Sequence, residues 1–154
     1  MNDLHFERSD PEKPPASELL AEMRLELNDV YDAFNRLDNP ALVPDELRGP
    51  DGAYLVGYEG AAPVAGGGVR RLDAGVAEIK RMYVRPGARS RGVARALLEA
   101  LEQTARDLGY ESVRLDTGPR QQHALALYRS AGYADVPPYN DNPFACFWGE
   151  KFLS

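Results

Sequence analysis

The sequence predicts a mixed α/β protein in which a mostly antiparallel sheet is flanked by helices. Three β-type segments between Ala53 and Val84 are separated by short Gly-containing turn signals, as in an antiparallel meander. Two units follow in which a strand leads into a helix, Glu78–Gly109 and Ser112–Ala131, as in the crossovers of a partly parallel sheet. The aromatic segment Phe144–Leu153 then predicts a final strand.

Length and composition indicate one globular domain over residues 1–154. A chain of 154 residues is long enough to bury its own hydrophobic core, and it contains 44% hydrophobic and 27% charged residues. No apolar run approaches the ~20 residues that a membrane-spanning helix needs. No basic region followed by an apolar stretch begins the chain, so no signal peptide is expected. We therefore expect a cytoplasmic protein without a membrane partner.

Charge and residue counts argue against several classes of function. The net charge of −6 argues against a nucleic-acid partner, because nucleic-acid-binding surfaces are basic. The single cysteine, Cys146, cannot form an internal disulfide and is predicted to be a buried strand residue in the apolar run Phe144–Trp148. His5 and His123 are the two histidines, and they show no metal-ligand spacing, so no metal is expected. Counting alone does not exclude a Cys–His nucleophile pair.

The first third of the chain predicts one strand and one helix. Leu4–Arg8 alternates apolar and polar side chains, which is typical of a strand. Ser17 is expected to be the N-cap of a helix with Glu18 in its first turn. The helix has an apolar stripe made of Leu19, Leu20, Met23, Leu27, Val30, Tyr31 and Phe34. Prolines and glycines interrupt regular structure in Pro40–Gly52, apart from a predicted helical turn at Asp45–Leu47.

The predicted meander has a Gly-rich middle strand. Its first two strands are Ala53–Tyr58 and Val64–Leu72, and its third begins near Glu78. Gly66, Gly67 and Gly68 lie inside the middle strand, where glycine indicates a bulge or a close backbone approach. Phosphate binding by these three glycines is the less favoured interpretation.

The last third predicts a strand, a helix, a loop and the closing strand. Ser112–Thr117 alternates as a strand, and Arg120–Ala131 has one apolar face and is ended by Gly132. Tyr133–Asn142 is dense in Pro, Asn and Asp and is predicted to be a loop.

The central stretch Glu78–Leu101 contains the feature that points most directly to a ligand. A strand is followed by a basic, Gly-containing loop that opens into a long amphipathic helix. The first turn of a helix has unpaired N–H groups and partial positive charge, so it binds phosphate where the backbone can approach the ligand. Gly92 and the small Ala94 permit that approach, while Arg89 and Arg91 add charge.

The loop motif distinguishes between nucleotide-binding families. Gly-x-x-x-x-Gly-Lys-Ser/Thr and Gly-x-Gly-x-x-Gly are both absent, which argues against a P-loop and a dinucleotide fold. Arg89, Gly92 and Ala94 instead form Arg-x-x-Gly-x-Ala, so the chain resembles the GNAT superfamily of acetyl-CoA-dependent N-acetyltransferases. The alternative is a solvated basic loop that contains a glycine. The resemblance implies that the pyrophosphate of coenzyme A is bound by Arg89, Ser90, Arg91, Gly92, Val93 and Ala94.

The resemblance covers nearly the whole chain and is most specific from Ala77 to Tyr133. It implies a central sheet of six to seven strands that is splayed at the strand binding coenzyme A. On that strand the backbone of Met82, Tyr83 and Val84 would pair with the pantetheine arm. Gln121 stands where many members have Asn, and the longer amide is a further candidate contact.

Two residues are candidates for catalysis through the same resemblance. Glu78 precedes Met82 by the spacing of the catalytic Glu in histone-acetyltransferase-like members, so it would take the amine proton, directly or through a water. Tyr128 lies in Ala-x-x-Leu-Tyr-x-x-x-Gly-Tyr and would protonate the leaving thiolate. The alternatives are a strand Glu that pairs with Lys80 or an arginine, and a packed core Tyr.

The expected activity is transfer of an acetyl group from acetyl-CoA to a primary amine of a small molecule, an amino acid or a peptide. The acceptor would lie between Leu27–Leu47 and Pro137–Pro143, where Tyr31, Asp32, Tyr139 and Asn140 are possible contacts. The alternatives are a non-catalytic GNAT-fold module that binds coenzyme A and an interaction domain without it. Family members often dimerise through late strands, so a homodimer is a further expectation.

Overall fold

One seven-stranded sheet organises the part of the chain that the computed structural model describes, residues 3–30, 44–118, 122–141 and 145–154. The strands are Leu4–Arg8 (β1), Ala53–Glu59 (β2), Ala62–Asp73 (β3), Val76–Val84 (β4), Ser112–Thr117 (β5), Ala134–Asp135 (β6) and Phe147–Phe152 (β7). The helices are Ala16–Val30 (α1), Val93–Asp107 (α2) and Gln122–Ser130 (α3), with 3-10 turns at Pro44–Leu47 and Pro86–Ala88. None of these helices has the length and apolar character needed to cross a membrane.

The sheet has the order β1-β2-β3-β4-β5-β7-β6 and is mostly antiparallel. Strands β2 to β4 form the predicted three-stranded meander, and its turns contain Gly60 and Gly75, which both have positive φ. Strand β1 adds to it by antiparallel pairing with β2. Strand β5 pairs in parallel with β4 after the crossover through α2. Strand β7 is inserted between β5 and β6 and is antiparallel to both, so β5 and β6 run in the same direction. The predicted fold class is confirmed.

Each face of the sheet is covered by a different helix layer. The larger core lies under α2 and includes the helix residues Val93, Leu97, Leu98, Leu101 and Ala105, which are the apolar positions that the sequence places on one face. The smaller core lies under α1 and contains Leu19, Tyr54 and Tyr83. Because successive strand residues point to opposite faces, Ile79 enters the α2 core while its neighbour Glu78 points to the α1 face.

The glycines of β3 permit close packing, as the sequence predicts. A β-carbon on Gly66 would overlap the hydroxyl of Tyr54, and one on Gly68 would lie 2.5 Å from Leu47 Cδ2. The pairing of β3 with β4 also shifts between Gly66 and Gly68, which is a β-bulge. The bulge and the close approach are therefore both present at the glycine triplet.

We predict that Gly66→Ala lowers the free energy of unfolding by about 1–3 kcal/mol, because overpacking a well-filled core forces neighbouring atoms to move. Among the described residues the buried Tyr54 hydroxyl has no hydrogen-bond partner, so Tyr54→Phe removes part of the overlap without losing a bond. The double variant should therefore be more stable than Gly66→Ala alone in urea unfolding followed by circular dichroism. Gly87→Ala is the control, since its added β-carbon meets no atom within 4 Å. Equal stability of Gly66→Ala and the natural protein would contradict this packing.

Two local predictions are wrong. Ser17 lies inside the first turn of α1 rather than at its N-cap, because the carbonyl of Lys13 already accepts the Ser17 N–H at 3.0 Å. Cys146 is exposed and precedes β7 instead of lying buried within it. Its neighbour Phe147 occupies the buried side of the extended chain, and adjacent side chains point to opposite sides.

Smaller differences concern the boundaries in the last third. Helix α3 is described from Gln122 to Ser130, inside the predicted range. The predicted loop contains the two-residue strand β6, which is too short to show an alternating pattern. Phe147 and Trp148 of the aromatic segment are buried and partly buried, respectively, within the chain.

Candidate functional site

Strands β4 and β5 separate in the middle of the sheet. They pair only from Val76 to Glu78, although β4 continues to Val84 and β5 to Thr117. Within the described residues no strand pairs with this side of β4 beyond Glu78. Apart from the Val84 carbonyl, which accepts a hydrogen bond from Arg89, the second half of β4 therefore presents N–H and C=O groups without a strand partner to a wedge-shaped opening, which is the expected splay.

A bulge in β4 sets the directions of the side chains around this opening. The register with β3 moves from Gly68–Lys80 to Gly66–Tyr83, so Arg81 and Met82 together oppose a single β3 residue. Arg81 has φ +61°, which is uncommon for a residue with a side chain. As a result Met82 packs against the α2 core, and the next residue, Tyr83, belongs to the core under α1.

Tyr128 of α3 reaches β4 at the opening. Its hydroxyl donates to the sulfur of Met82 at 3.7 Å, and its side chain is almost fully buried. Burial raises the pKa of Tyr128, and the negative charge of Asp116 raises it further, so the phenol stays protonated at neutral pH. Two predicted site residues from separate elements, Met82 and Tyr128, are thus in contact.

The N-terminus of α2 is open to a ligand. Gly92 is the N-cap residue with φ +82°, and no side chain caps the first turn. The first helical bond runs from the Ala96 N–H to the Gly92 carbonyl at 3.1 Å, so the preceding N–H groups have no intrahelical acceptor. Ser90, Arg91 and Gly92 are exposed beside them. This end has the geometry that binds phosphate.

The two arginines of the loop are held by acidic side chains. Arg89 donates to Glu26 Oε1 at 2.6 Å and to the Val84 carbonyl at 2.8 Å. Arg91 makes a bidentate pair with Glu59, with distances of 2.9 and 2.8 Å. Exposed ion pairs of this kind contribute about 0–1 kcal/mol each, so an arriving phosphate can displace the carboxylates at small cost.

Glu78 is fully buried at the point where the strands separate. Its Oε1 accepts a hydrogen bond from Arg70 Nε at 2.8 Å, and its Oε2 accepts one from the Tyr139 hydroxyl at 2.9 Å. The ammonium group of Lys80 lies 3.3 Å from the same Oε2. Both pairings that sequence reasoning offered as the non-catalytic alternative, with Lys80 and with an arginine, are therefore present.

A second carboxylate beside Glu78 was missed by sequence reasoning. Asp116 Oδ2 accepts a 2.6 Å hydrogen bond from Asn140 Nδ2 and lies 3.8 Å from Lys80 Nζ. The indole N–H of Trp148 donates to Asn140 Oδ1 at 2.9 Å and fixes the amide. The available signal was the acidic residue Asp116 within the predicted strand Ser112–Thr117. Tyr139 and Asn140, which the sequence suggested as acceptor contacts, both belong to this network.

Some candidates cannot be placed. Gln121, Tyr31 and Asp32 lie outside the described residues. Among the residues that the structure describes, no group of three or more His, Cys, Asp or Glu side chains could hold a metal ion.

The splayed strand, the open helix N-terminus and the buried tyrosine can be compared with known proteins. The model of the Acetyltransferase (GNAT) family matches residues 18–133, which is most of the chain. The chain belongs to the GNAT family. This GNAT protein is 33% identical over 151 residues to the IAA acetyltransferase of Azospirillum brasilense, a match that covers 96% of this chain and 97% of that protein. It is therefore an acyltransferase.

Solved structures share the fold of this GNAT protein. An acetyltransferase of the GNAT family from Staphylococcus aureus superposes with a TM-score of 0.77 at 18% identity, covering 98% of this chain and 99% of that one. A GNAT family acetyltransferase from Elizabethkingia anophelis, solved with acetyl-CoA bound, gives a TM-score of 0.69 at 16% identity, covering 99% and 100% of the two chains. At these identities the likeness establishes the architecture.

Proposed function

We propose that this GNAT protein transfers the acetyl group of acetyl-CoA to a primary amine of a small molecule, an amino acid or a peptide in a ternary complex. The observation that carries the proposal is the single opening between β4 and β5. It combines an unpaired strand edge, an uncapped helix N-terminus and a buried phenol. The acetyl-CoA bound by the Elizabethkingia relative supports the choice of donor.

The residues around the opening fit acetyl-CoA. The first-turn N–H groups of α2 would bind the pyrophosphate, with Arg89 and Arg91 exchanging their carboxylate partners for phosphate oxygens. The backbone from Met82 to Val84 would pair with the amide groups of the pantetheine arm, because this edge lacks a strand partner. Gln121 remains a proposed contact of the same ligand.

The reaction needs little beyond positioning and a few polar groups. The acceptor nitrogen bonds to the acetyl carbon while the carbon–sulfur bond breaks, the amine loses one proton, and the sulfur leaves with the bonding electrons and gains a proton. Unpaired N–H groups of β4 would stabilise the developing negative charge on oxygen. The hydroxyl of Tyr128, already directed at a sulfur atom, would donate a hydrogen bond to the departing thiolate.

Glu78 is the proposed destination of the amine proton. Its side chain is fully buried and both of its oxygens accept hydrogen bonds, so direct contact with the substrate amine would require Arg70 or Tyr139 to move away. A water molecule is small enough to carry the proton from the amine to a free lone pair of the carboxylate without displacing either residue, and we favour this route. The same saturated pairing also suits a structural role for Glu78, in which it would take no part in the reaction.

Acetyl-CoA is expected to stabilise the protein against thermal unfolding. A ligand at about 100 times its dissociation constant stabilises the folded state by about 2.7 kcal/mol, which is measured as a rise in melting temperature. Release of free coenzyme A thiol is then followed with a panel of amines, and we expect release that depends on the amine. Stabilisation without release for every amine would contradict the transfer to amines, and the absence of stabilisation would contradict acetyl-CoA as the donor.

A further inference from the structure

Arg81 is an unusual cation in the middle of the sheet. It sits in the β4 bulge with φ +61°, a left-handed conformation that folded proteins retain where the surrounding structure imposes it. Its side chain is partly buried, and the charges nearest to it include Glu78 and Asp116. The bulge therefore places the Arg81 side chain on the α1 side of the sheet, where the charges of Arg24, Asp116 and Glu78 act on it.

The guanidinium of Arg81 makes no hydrogen bond and no ion pair with any residue that the structure describes. The carboxylates beside it are engaged elsewhere: Glu78 pairs with Arg70 and Lys80, and Asp116 accepts from Asn140. Arg81 thus has five N–H donors in a partly desolvated position and no acceptor among the residues that the structure describes.

The charge state of Arg81 supports the presence of an anionic ligand. Burial lowers the pKa of the Arg81 guanidinium, and the like charge of Arg24 on α1 lowers it further. Taking a cation out of water without a partner is unfavourable, whereas an anion that binds there restores both charge compensation and hydrogen bonds. A carboxylate matches the planar fork of the guanidinium with two parallel hydrogen bonds.

We propose that Arg81 binds the carboxylate of the acceptor, so that the acceptors of this enzyme are free amino acids rather than simple amines, amides or polyamines. The proposal rests on the function proposed above. The carboxylate stays chemically unchanged on Arg81, and the amine of the same molecule is directed toward the end of the opening where Met82 and Tyr128 meet. Arg81 would then be a specificity-determining residue for the reaction.

The test compares each amino acid of a standard panel with its own carboxamide, which keeps the amine and the side chain but loses the negative charge. We expect the natural protein to prefer the acid by about 10–100-fold in kcat/KM, as measured by thiol release, because hydrogen bonds to charged groups are strong. In Arg81→Gln that preference should fall to near one, because kcat/KM should fall for the amino acid and stay unchanged for its carboxamide. Arg81→Lys, which keeps the charge but not the fork, should retain part of it.

A matched control and a second readout make the result interpretable. Arg71→Gln removes an exposed arginine from β3 and should leave the preference unchanged. Isothermal titration of each amino acid of the panel into protein saturated with coenzyme A should show binding of at least one of them, and Arg81→Gln should weaken that binding by the same factor. Stabilisation by acetyl-CoA should be equal in all variants, which shows that the donor site is intact.

The outcomes separate this inference from the proposed function. Equal use of acids and amides by the natural protein, or equal loss on both in Arg81→Gln, would overturn the carboxylate site while leaving the acetyltransferase in place. If no amine at all supports thiol release, the proposed function fails. The titration then still decides the carboxylate site, because amino-acid binding must depend on Arg81.

Discussion

Replacing Gly92 with valine is expected to weaken the binding of acetyl-CoA by roughly 10²-fold, the effect of losing about two hydrogen bonds to a charged group. Gly92 has φ +82° at the N-cap of α2, and this backbone conformation is strongly unfavourable for a β-branched residue. The valine would either shift the loop or place its side chain where the phosphates approach the first-turn N–H groups. Titration calorimetry with acetyl-CoA measures the loss.

Gly109 provides a matched control for the change at Gly92. It lies just beyond the other end of α2 with φ +94°, and a β-carbon added at either glycine meets no atom within 4 Å. Gly109→Val therefore has a similar backbone cost, and it should lower stability without changing the affinity for acetyl-CoA. Unchanged affinity in Gly92→Val would show that the helix N-terminus does not bind the pyrophosphate.

Removing the hydroxyl of Tyr128 should lower kcat by about 10²–10³-fold, the usual effect of deleting one donor directed at developing charge. The KM for acetyl-CoA should change little, because the hydroxyl acts on the leaving sulfur rather than on the phosphates. Since burial raises the pKa of Tyr128, the phenol does not ionise between pH 6 and 9. The ratio of the natural rate to the Tyr128→Phe rate should therefore be constant over that range.

Tyr110→Phe is the control for the tyrosine variant. It removes a hydroxyl that donates to the Asp51 carbonyl at 2.5 Å, outside the opening between β4 and β5. This change should leave kcat within about twofold of the value of the natural protein, as is usual for a substitution away from the site. A Tyr128→Phe enzyme that turns over as fast as the Tyr110→Phe control would reduce Tyr128 to a packing residue. A rate ratio that changes with pH would instead indicate that the phenol ionises.

The raised pKa also changes the proposed role of Tyr128. A proton moves readily from donor to acceptor when the acceptor is the stronger base, and a thiolate is a weaker base than a buried phenolate. Full proton transfer to the thiolate is therefore uphill for Tyr128. Stabilising the departing sulfur by a hydrogen bond is the role that its environment favours.

The fold could be predicted from the sequence because its signals are local. The turns at Gly60 and Gly75 and the strand-to-helix unit from Glu78 to Gly109 are readable from neighbouring residues alone, and the structure has each of them. The errors at Ser17 and Cys146 are also local. A serine near the start of a helix can be the N-cap or lie in the first turn, and an apolar residue near a strand can lie inside it or just before it. Such ambiguity is resolved only by what the segment packs against.

The sequence by itself determined the meander and the basic loop before α2, because such patterns are properties of short segments. Its resemblance to the GNAT superfamily singled out the two candidate residues Glu78 and Tyr128. Only the tertiary structure decided which charges meet. The distances from Glu78 to Tyr139 and from Asp116 to Asn140 depend on strand register and on a loop that returns to the sheet. The position of Arg81, where no described residue pairs with it, depends on a bulge that follows from the pairing of β3 with β4.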